Sequence, residues 1–267
     1  MKGKKIAIIG GGNIGISIAQ GLVQAGLFKP GDVTLTRRKI HLLSMLSKEG
    51  FRVHDDNQQA VKDADFVILA VKPKQLKDVF SGIRSVLNAK KHILISVVTG
   101  MRLSDMEDWS GKKMPIFRAM PNTAIAVRQS MTCLASKNAT QAQAKEVQHL
   151  FSELGLAIFI EEELMEAATV LGACGIAYSL RFIRAASQGG IEIGFDANTA
   201  QLIAAQTVKG AAALLLQEGR HPEEEIDKVT TPQGCTIAGL NEMEHQGFSS
   251  ALIKGVLSSY RKIEKIV

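Results

Sequence analysis

Apolar residues first cluster in short runs, at 5–9, 33–36, 66–71, 93–98 and 115–119, dominated by Ile, Val, Leu, Ala and Phe. Runs of this length with few polar positions fit strands covered by helices on both faces. Apolar residues at helical spacing between them predict helices over 14–25 and 41–48. Strands that alternate with helices imply parallel pairing, because a parallel neighbour is reached only by a long crossover. Another helix is predicted from Thr140 as N-cap to Gly155 just beyond its end, with a strand over 157–160. From Glu161 onward the pattern is helical only. Glu161, Glu162 and Glu163 open a long helix to about residue 188, and Asp196 caps an alanine-rich helix ending at Gly219. Pro222 starts a short helix, and two more cover 236–246 and 248–265. The expected fold class is α/β, a Rossmann-type parallel sheet domain over 1–160 followed by an all-α domain over 161–267.

Composition narrows the partners. Of 267 residues, 46% are hydrophobic and 22% charged, enough to bury a core. Aromatic residues reach only 5%, which argues against base-stacking surfaces for single-stranded nucleic acid. Cys133, Cys174 and Cys235 are widely spaced and odd in number, supporting neither a disulfide framework nor a zinc cluster, and fitting a reducing cytoplasm. Residues 1–160 hold 23 Lys and Arg against 12 Asp and Glu, whereas 161–267 hold 9 against 14. That split fits a first unit suited to a polyanion and a second with another partner, although solubility alone would also produce it. The start Met1-Lys2-Gly3-Lys4-Lys5 followed by 6–9 resembles a signal peptide, but glycines 10–12 interrupt the apolar run and no cleavage site follows. Elsewhere the longest uncharged stretch, 167–180, has 14 residues, short of the ~20 that cross a bilayer, so a soluble protein is expected. Ala204, Ala205, Gly210, Ala211, Ala212 and Ala213 leave the second long helix with few large side chains. Such a helix completes its core against a second copy of the chain, so a homodimer is expected.

The strongest chemical motif is Gly10-Gly11-Gly12-Asn13-Ile14-Gly15, placed between a buried strand and a helix. In a dinucleotide site Gly10 allows the tight turn, Gly12 lets backbone approach the pyrophosphate, and Gly15 lets helix and strand pack. Backbone N–H groups at Asn13 and Ile14 open the helix toward a phosphate. The second strand ends in Thr36, Arg37 and Arg38 where a ribose-binding acid would stand. A hydroxyl and two guanidinium groups favour a 2′-phosphate, hence NADPH over NADH. Asn57, Ala70, Val71, Lys72 and Pro73 lie at later strand ends, where ligands collect in open α/β sheets.

The helical half lacks the usual proton donors of a ketone or alcohol site. There is no lysine between Lys145 and Lys209 and no histidine between His149 and His221, leaving Tyr178 as the one strong proton donor there. Reduction of an imine that already carries its proton makes a smaller demand than reduction of a ketone. The turn Thr231-Pro232-Gln233-Gly234-Cys235-Thr236 leads into a helix whose first N–H groups suit a substrate carboxylate, held by uncharged donors.

The glycine turn, Val71-Lys72-Pro73, Met120-Pro121-Asn122-Thr123, Ala204-Ala205-Gln206-Thr207-Val208, His221-Pro222 and above all residues 231–240 resemble the pyrroline-5-carboxylate reductase family over essentially the whole chain. The resemblance implies a Rossmann domain with an interlocked helical dimerisation domain, dimers assembled into larger rings, and NADPH or NADH as reductant. It implies that Thr236 contacts the substrate ring nitrogen while Thr231, Gly234 and Cys235 help hold the carboxylate. It also implies cofactor contacts from Thr36, Asn57, Lys72 and Pro73, and we group Asn122 with them. Two stretches depart from the family's pattern. A usual Ser-Gly-Ser-Gly-Pro-Ala-Tyr reads Gly172-Ala173-Cys174-Gly175-Ile176-Ala177-Tyr178, and a usual Ser-Pro-Gly-Gly-Thr-Thr reads Thr231 to Thr236 with Gln233 in place of glycine. The expected reaction is NADPH-dependent hydride transfer to the C=N carbon of 1-pyrroline-5-carboxylate, giving L-proline. Alternatives are a reductase of another cyclic imino acid, a hydroxyacid dehydrogenase of related architecture, or a non-catalytic nucleotide-binding regulator.

Overall fold

The structure is a computed structural model and describes Met1 and residues 3–263. The end of the last helix expected at 265 therefore lies outside the described residues. The chain forms two compact units, one of 1–174 with 260–267 and one of 175–259.

The first unit is built on an eight-stranded sheet. Its strands are β1 (Ile6–Ile9), β2 (Val33–Thr36), β3 (Arg52–His54), β4 (Phe66–Leu69), β5 (Ile93–Ser96), β6 (Ile116–Met120), β7 (Ser130–Lys137) and β8 (Gly155–Phe159). They lie in the order β3-β2-β1-β4-β5-β6-β7-β8. The first six are mutually parallel in the Rossmann arrangement, with the strand order reversing between β1 and β4. β7, a strand the apolar runs did not announce, pairs antiparallel to β6. The connection of residues 121–129 is too short for a crossover, so the chain turns back beside the strand it has just left.

Six helices accompany the sheet: α1 (Asn13–Gln24), α2 (Ser44–Lys48), α3 (Asn57–Asp63), α4 (Leu76–Ile83), α5 (Leu103–Ser110) and α6 (Gln141–Ser152). Successive residues of β1 feed opposite cores. Ile6 and Ile8 pack with Ile18, Leu22, Leu150 and Phe151, whereas Ala7 and Ile9 pack with Val67, Leu69, Phe80 and Ile83. That double burial explains why these strands read as unbroken apolar runs. Thr140 caps α6 by accepting from the Gln143 N–H at 3.2 Å, as its sequence position predicts.

The long helix expected from Glu161 is instead segmented. A short 3-10 turn (Glu162–Leu164) leads into α7 (Met165–Ala168), then a π-helical turn (Thr169–Cys174), and only then α8 (Gly175–Glu192). Glu162 and Glu166 are occupied by Arg118 of β6, at 3.2 and 3.0 Å. They are thus more than dipole-facing acids at a helix start.

The second unit contains α8, α9 (Ala197–Glu218), α10 (Pro222–Val229), α11 (Cys235–His245) and most of α12 (Phe248–Ile263). Asp196 caps α9 through the Asn198 and Thr199 N–H groups, and Gly219 ends it at φ 65°. α8 and α9 pack together with Gly190 against Ala200, the close approach that small residues permit.

His92 sits just before β5, 2% exposed, with Nδ1 accepting from the Asn88 N–H at 3.1 Å and Nε2 without a hydrogen-bond partner among the described residues. Loss of solvation, then the charge of Lys91, lowers its pKa to about 4. The unfolded chain takes up this proton near the ordinary value of about 6.5, well before the native state does. Stability is therefore expected to be full above that value and to decline as pH falls through the interval toward 4. Thermal melts of the protein and of His92→Gln over this range should show the decline flattened in the variant.

Candidate active site

The sheet's reversal point opens into a cleft of about 950 Å³ at the carboxyl ends of β1, β2 and β4. Gly10, Gly12, Thr36, Arg37, Arg38, Asn57, Ala70, Val71 and Lys72 line it, as do Ile9, Gly11, Lys39, Leu42, Gln75, Asp78 and Val79. The structure thus gathers nine of the residues proposed for a cofactor around one cavity.

Each glycine in the turn has its own physical reason. Gly10 has φ +117°, and a Cβ there would collide with the Ala70 carbonyl oxygen. A Cβ on buried Gly15 would strike the Gly10 carbonyl oxygen, so Gly15 supports the turn from beneath. At Gly12 nothing lies within 4 Å of a Cβ, and this open backbone is the N-cap of α1 with no side-chain cap. Its orphan N–H groups and exposed cradle fit a phosphate. Gly10 and Gly11 donate to the Thr36 carbonyl oxygen at 3.2 and 2.7 Å, which ties the turn to the end of β2. Arg37, half-buried, donates from Nη1 to the Gly11 carbonyl oxygen at 2.8 Å. It braces the turn while the remaining donors of its guanidinium stay available. Arg38 and Lys39 beside it are exposed cations.

Asn13, Ile14, Gly15, Pro73 and Asn122 do not line this cleft. Asn13 and Ile14 begin α1, and Pro73 begins the short turn Pro73–Gln75, whose Gln75 accepts from the Lys72 N–H at 3.3 Å. Asn122 is 7% exposed. Its Oδ1 accepts from the Ala124 N–H at 3.0 Å, its Nδ2 donates to the Gly172 carbonyl oxygen at 3.1 Å, and its own N–H donates to Ser130 Oγ at 3.0 Å. Sequence reasoning missed Gln75 and Leu42 as cleft residues. For Leu42 a signal existed: an apolar residue, 48% exposed, just after the basic end of β2.

The second unit holds Thr231, Gly234, Cys235 and Thr236 together at one turn. The Gly234 N–H donates to the Thr231 carbonyl oxygen at 2.9 Å, and Gly234 is the N-cap of α11. A Cβ on Gly234 would sit 2.5 Å from Thr231 Oγ1. Gln233 adopts φ 60°, a left-handed conformation that favours glycine. That is the position at which the resembled family carries glycine, so this chain sustains backbone strain to place a carboxamide there. Tyr178 is engaged by Ser259, with 2.6 Å between their hydroxyl oxygens.

A Rossmann sheet with a phosphate-ready glycine turn, joined to an all-helical unit, defines a nicotinamide-dinucleotide-dependent oxidoreductase. The family model described as "NADP oxidoreductase coenzyme F420-dependent" matches residues 5–100, and that described as "Pyrroline-5-carboxylate reductase dimerisation" matches 162–266. Pyrroline-5-carboxylate reductase 2 of Dictyostelium discoideum is 44% identical, covering 98% of this chain and 93% of its own. Pyrroline-5-carboxylate reductase 1 of the same organism is 49% identical over 96% of this chain, which spans about half of that longer protein (49%). A solved Plasmodium falciparum pyrroline carboxylate reductase with NADP bound shares the fold at TM-score 0.89, with 24% identity over 99% of this chain and 98% of that one. The chain belongs to the pyrroline-5-carboxylate reductase family.

Membership settles the character of two apolar helical stretches. Glu162–Glu192 and Ala197–Glu218 are each long and apolar enough to cross a bilayer, which the uncharged-stretch count of the sequence did not register. Both fall within the dimerisation match, and they are exposed helices of that domain rather than membrane spans.

Proposed function

We propose that this protein reduces 1-pyrroline-5-carboxylate to L-proline, with the dinucleotide seated in the β1/β2/β4 cleft. The observation that carries this reading is the 44% identity across 93% of a pyrroline-5-carboxylate reductase, joined to a cleft whose glycine turn fits a pyrophosphate. The nicotinamide supplies the hydride, which adds to the C=N carbon of the protonated ring imine. Because the imine nitrogen already bears its proton, the product amine forms without a proton donor placed by the chain. The chain's task is positioning.

Gly10, Gly12, Asn13, Ile14 and Gly15 form the pyrophosphate seat; Thr36, Arg37, Arg38 and Asn57, on the β2/β3 side of β1, take the adenosine end; Ala70, Val71, Lys72 and Pro73 border the cofactor on the β4 side. Thr231, Gly234 and Cys235 hold the substrate carboxylate, and Thr236 meets the ring nitrogen. The working assembly is a homodimer able to build larger rings, and the free thiols of Cys133, Cys174 and Cys235 suit a reducing cytoplasm.

Purified protein given NADPH and pyrroline-5-carboxylate should consume the cofactor and form proline. Turnover only with hydroxy or keto acids, or NADPH binding without turnover on any imino acid, would overturn the assignment. Thr236→Ala should lower kcat about tenfold, the worth of one lost hydrogen bond, and leave NADPH affinity within twofold. Equal damage to both would remove its assigned role. The absence of an acid at the end of β2, with Arg37 and Arg38 in its place, favours NADPH over NADH. Arg37→Ala should weaken NADPH about tenfold more than NADH in paired titrations. An unchanged ratio would refute the phosphate clamp.

A further inference from the structure

One wall of the cleft carries a polar side chain that belongs neither to the glycine turn nor to the basic end of β2. Gln75, half-buried, lines the cavity with Lys72 and Asp78 on either side of it in sequence. It closes the short turn Pro73–Gln75 and is the N-cap of α4. Its N–H donates to the Lys72 carbonyl oxygen at 2.9 Å, and its Oε1 accepts from the Lys72 N–H at 3.3 Å. The two residues are thus tied in both directions.

That tie decides which end of the carboxamide is free. A carboxamide nitrogen carries two N–H donors and offers no lone pair to a hydrogen bond, so only Oε1 can meet a backbone N–H. The oxygen is therefore occupied and Nε2 keeps both donors. Among the described residues no hydrogen bond engages Nε2, although the side chain lies on the wall of a cavity. The charged groups around that cavity are mostly cations: Lys72 on the same wall and Arg37, Arg38 and Lys39 after β2, against Asp78 alone. Such a lining selects an anion rich in acceptor oxygens. A half-buried pair of neutral donors adds direction to that attraction, because a hydrogen bond weakens steeply off its axis.

We infer that Gln75 is a cofactor-contact residue: Nε2 donates to an acceptor of the bound dinucleotide while Oε1 holds the Lys72 backbone. The inference rests on the seating of the dinucleotide in this cleft and extends that seat to the wall made by the start of α4.

Two variants separate the contact from the tie. Gln75→Glu keeps an oxygen for the Lys72 N–H, removes both donors and adds a negative charge. Gln75→Met keeps the reach of the side chain and removes donors and acceptor without adding charge. NADPH affinity is read by fluorescence titration of the unaltered protein and both variants, at low salt and at about 1 M NaCl, alongside thermal melts. We expect NADPH to bind about tenfold more weakly to each variant, the effect of one lost hydrogen bond, with the Tm of Gln75→Glu unchanged. At about 1 M salt the Debye length is about 3 Å, so repulsion by the added charge is screened while a missing donor is not. The deficit of Gln75→Glu relative to the unaltered protein should therefore persist there. Affinity within twofold of the unaltered protein in Gln75→Met would overturn the inference. The same result for Gln75→Glu at high salt would overturn it too, and would reduce Gln75 to a brace for Lys72. Failure of the unaltered protein to bind NADPH would overturn the seating itself. Binding without reduction of the imino acid would instead overturn the proposed reaction, and the comparison of the Gln75 variants would still decide the contact.

Discussion

Gly10→Ala is expected to cost dinucleotide affinity by about 100-fold or more and to lower the melting temperature at the same time. Two effects combine at this residue. Its φ of +117° lies where a side chain strains the backbone, at roughly 1–3 kcal/mol. The added Cβ would also meet the Ala70 carbonyl, which is backbone of the neighbouring cleft wall and cannot swing aside as a side chain could. Relief requires moving either the turn or the end of β4, and both line the cleft. The turn is further held by the Thr36 carbonyl and the Arg37 guanidinium, so displacement disturbs the β2 side of the cleft as well. Gly12→Ala makes the informative contrast. Nothing lies near its Cβ, so its Tm should be unchanged while the methyl group intrudes on the cradle and weakens NADPH. Titration of NADPH fluorescence alongside thermal melts separates the two variants. Retention of full affinity in Gly10→Ala would show that the turn is not the phosphate seat.

These glycines were legible in the sequence because their demands are local: a tight turn and a close approach leave a fixed spacing. The first strand, the switch to helices after residue 160 and the cap at Thr140 were legible for the same reason, each being written in periodicity or in a few adjacent residues. β3 was not, since Arg52–His54 has three residues, two of them polar, and is a strand only through its pairing with β2. β7 was missed because Ser130, Thr132, Ser136 and Lys137 interrupt its apolar residues, and its direction follows from the length of a connection. No local pattern announces the π turn Thr169–Cys174, and the Asn122 amide that donates to its Gly172 carbonyl oxygen lies fifty residues away in sequence. Of the candidate site, the cleft side was readable from the glycine motif and the basic end of β2. The bracing role of Arg37 was not, since it requires two loops to meet.

Arg118 was hidden in the same way, inside a strand that reads as apolar, and it supports the second large expectation. Its side chain is 3% exposed and meets Glu162 and Glu166, themselves 29% and 17% exposed, while its Nε has no hydrogen-bond partner among the described residues. Arg118→Met should destabilise the protein by about 3–5 kcal/mol, because two carboxylates would be left beside a buried strand without their cation. For a chain of this size that is a fall in Tm of roughly 6–20 °C. The penalty belongs to the abandoned acids more than to a lost attraction, so neutralising them should recover most of it. Recovery is expected to be unequal. Glu162 Oε1 also accepts from the Leu103 N–H at 2.7 Å, at the start of α5, and retains that partner after the substitution. Among the described residues Glu166 has no second hydrogen bond of this kind, and it is the more buried of the two. In the Arg118→Met background Glu166→Gln should therefore restore more of the Tm than Glu162→Gln, and Glu162→Gln should weaken its bond to α5 as it relieves the charge. Equal rescue by either, or no rescue by both together, would mean that Arg118 matters through its packing and not through the acids it neutralises.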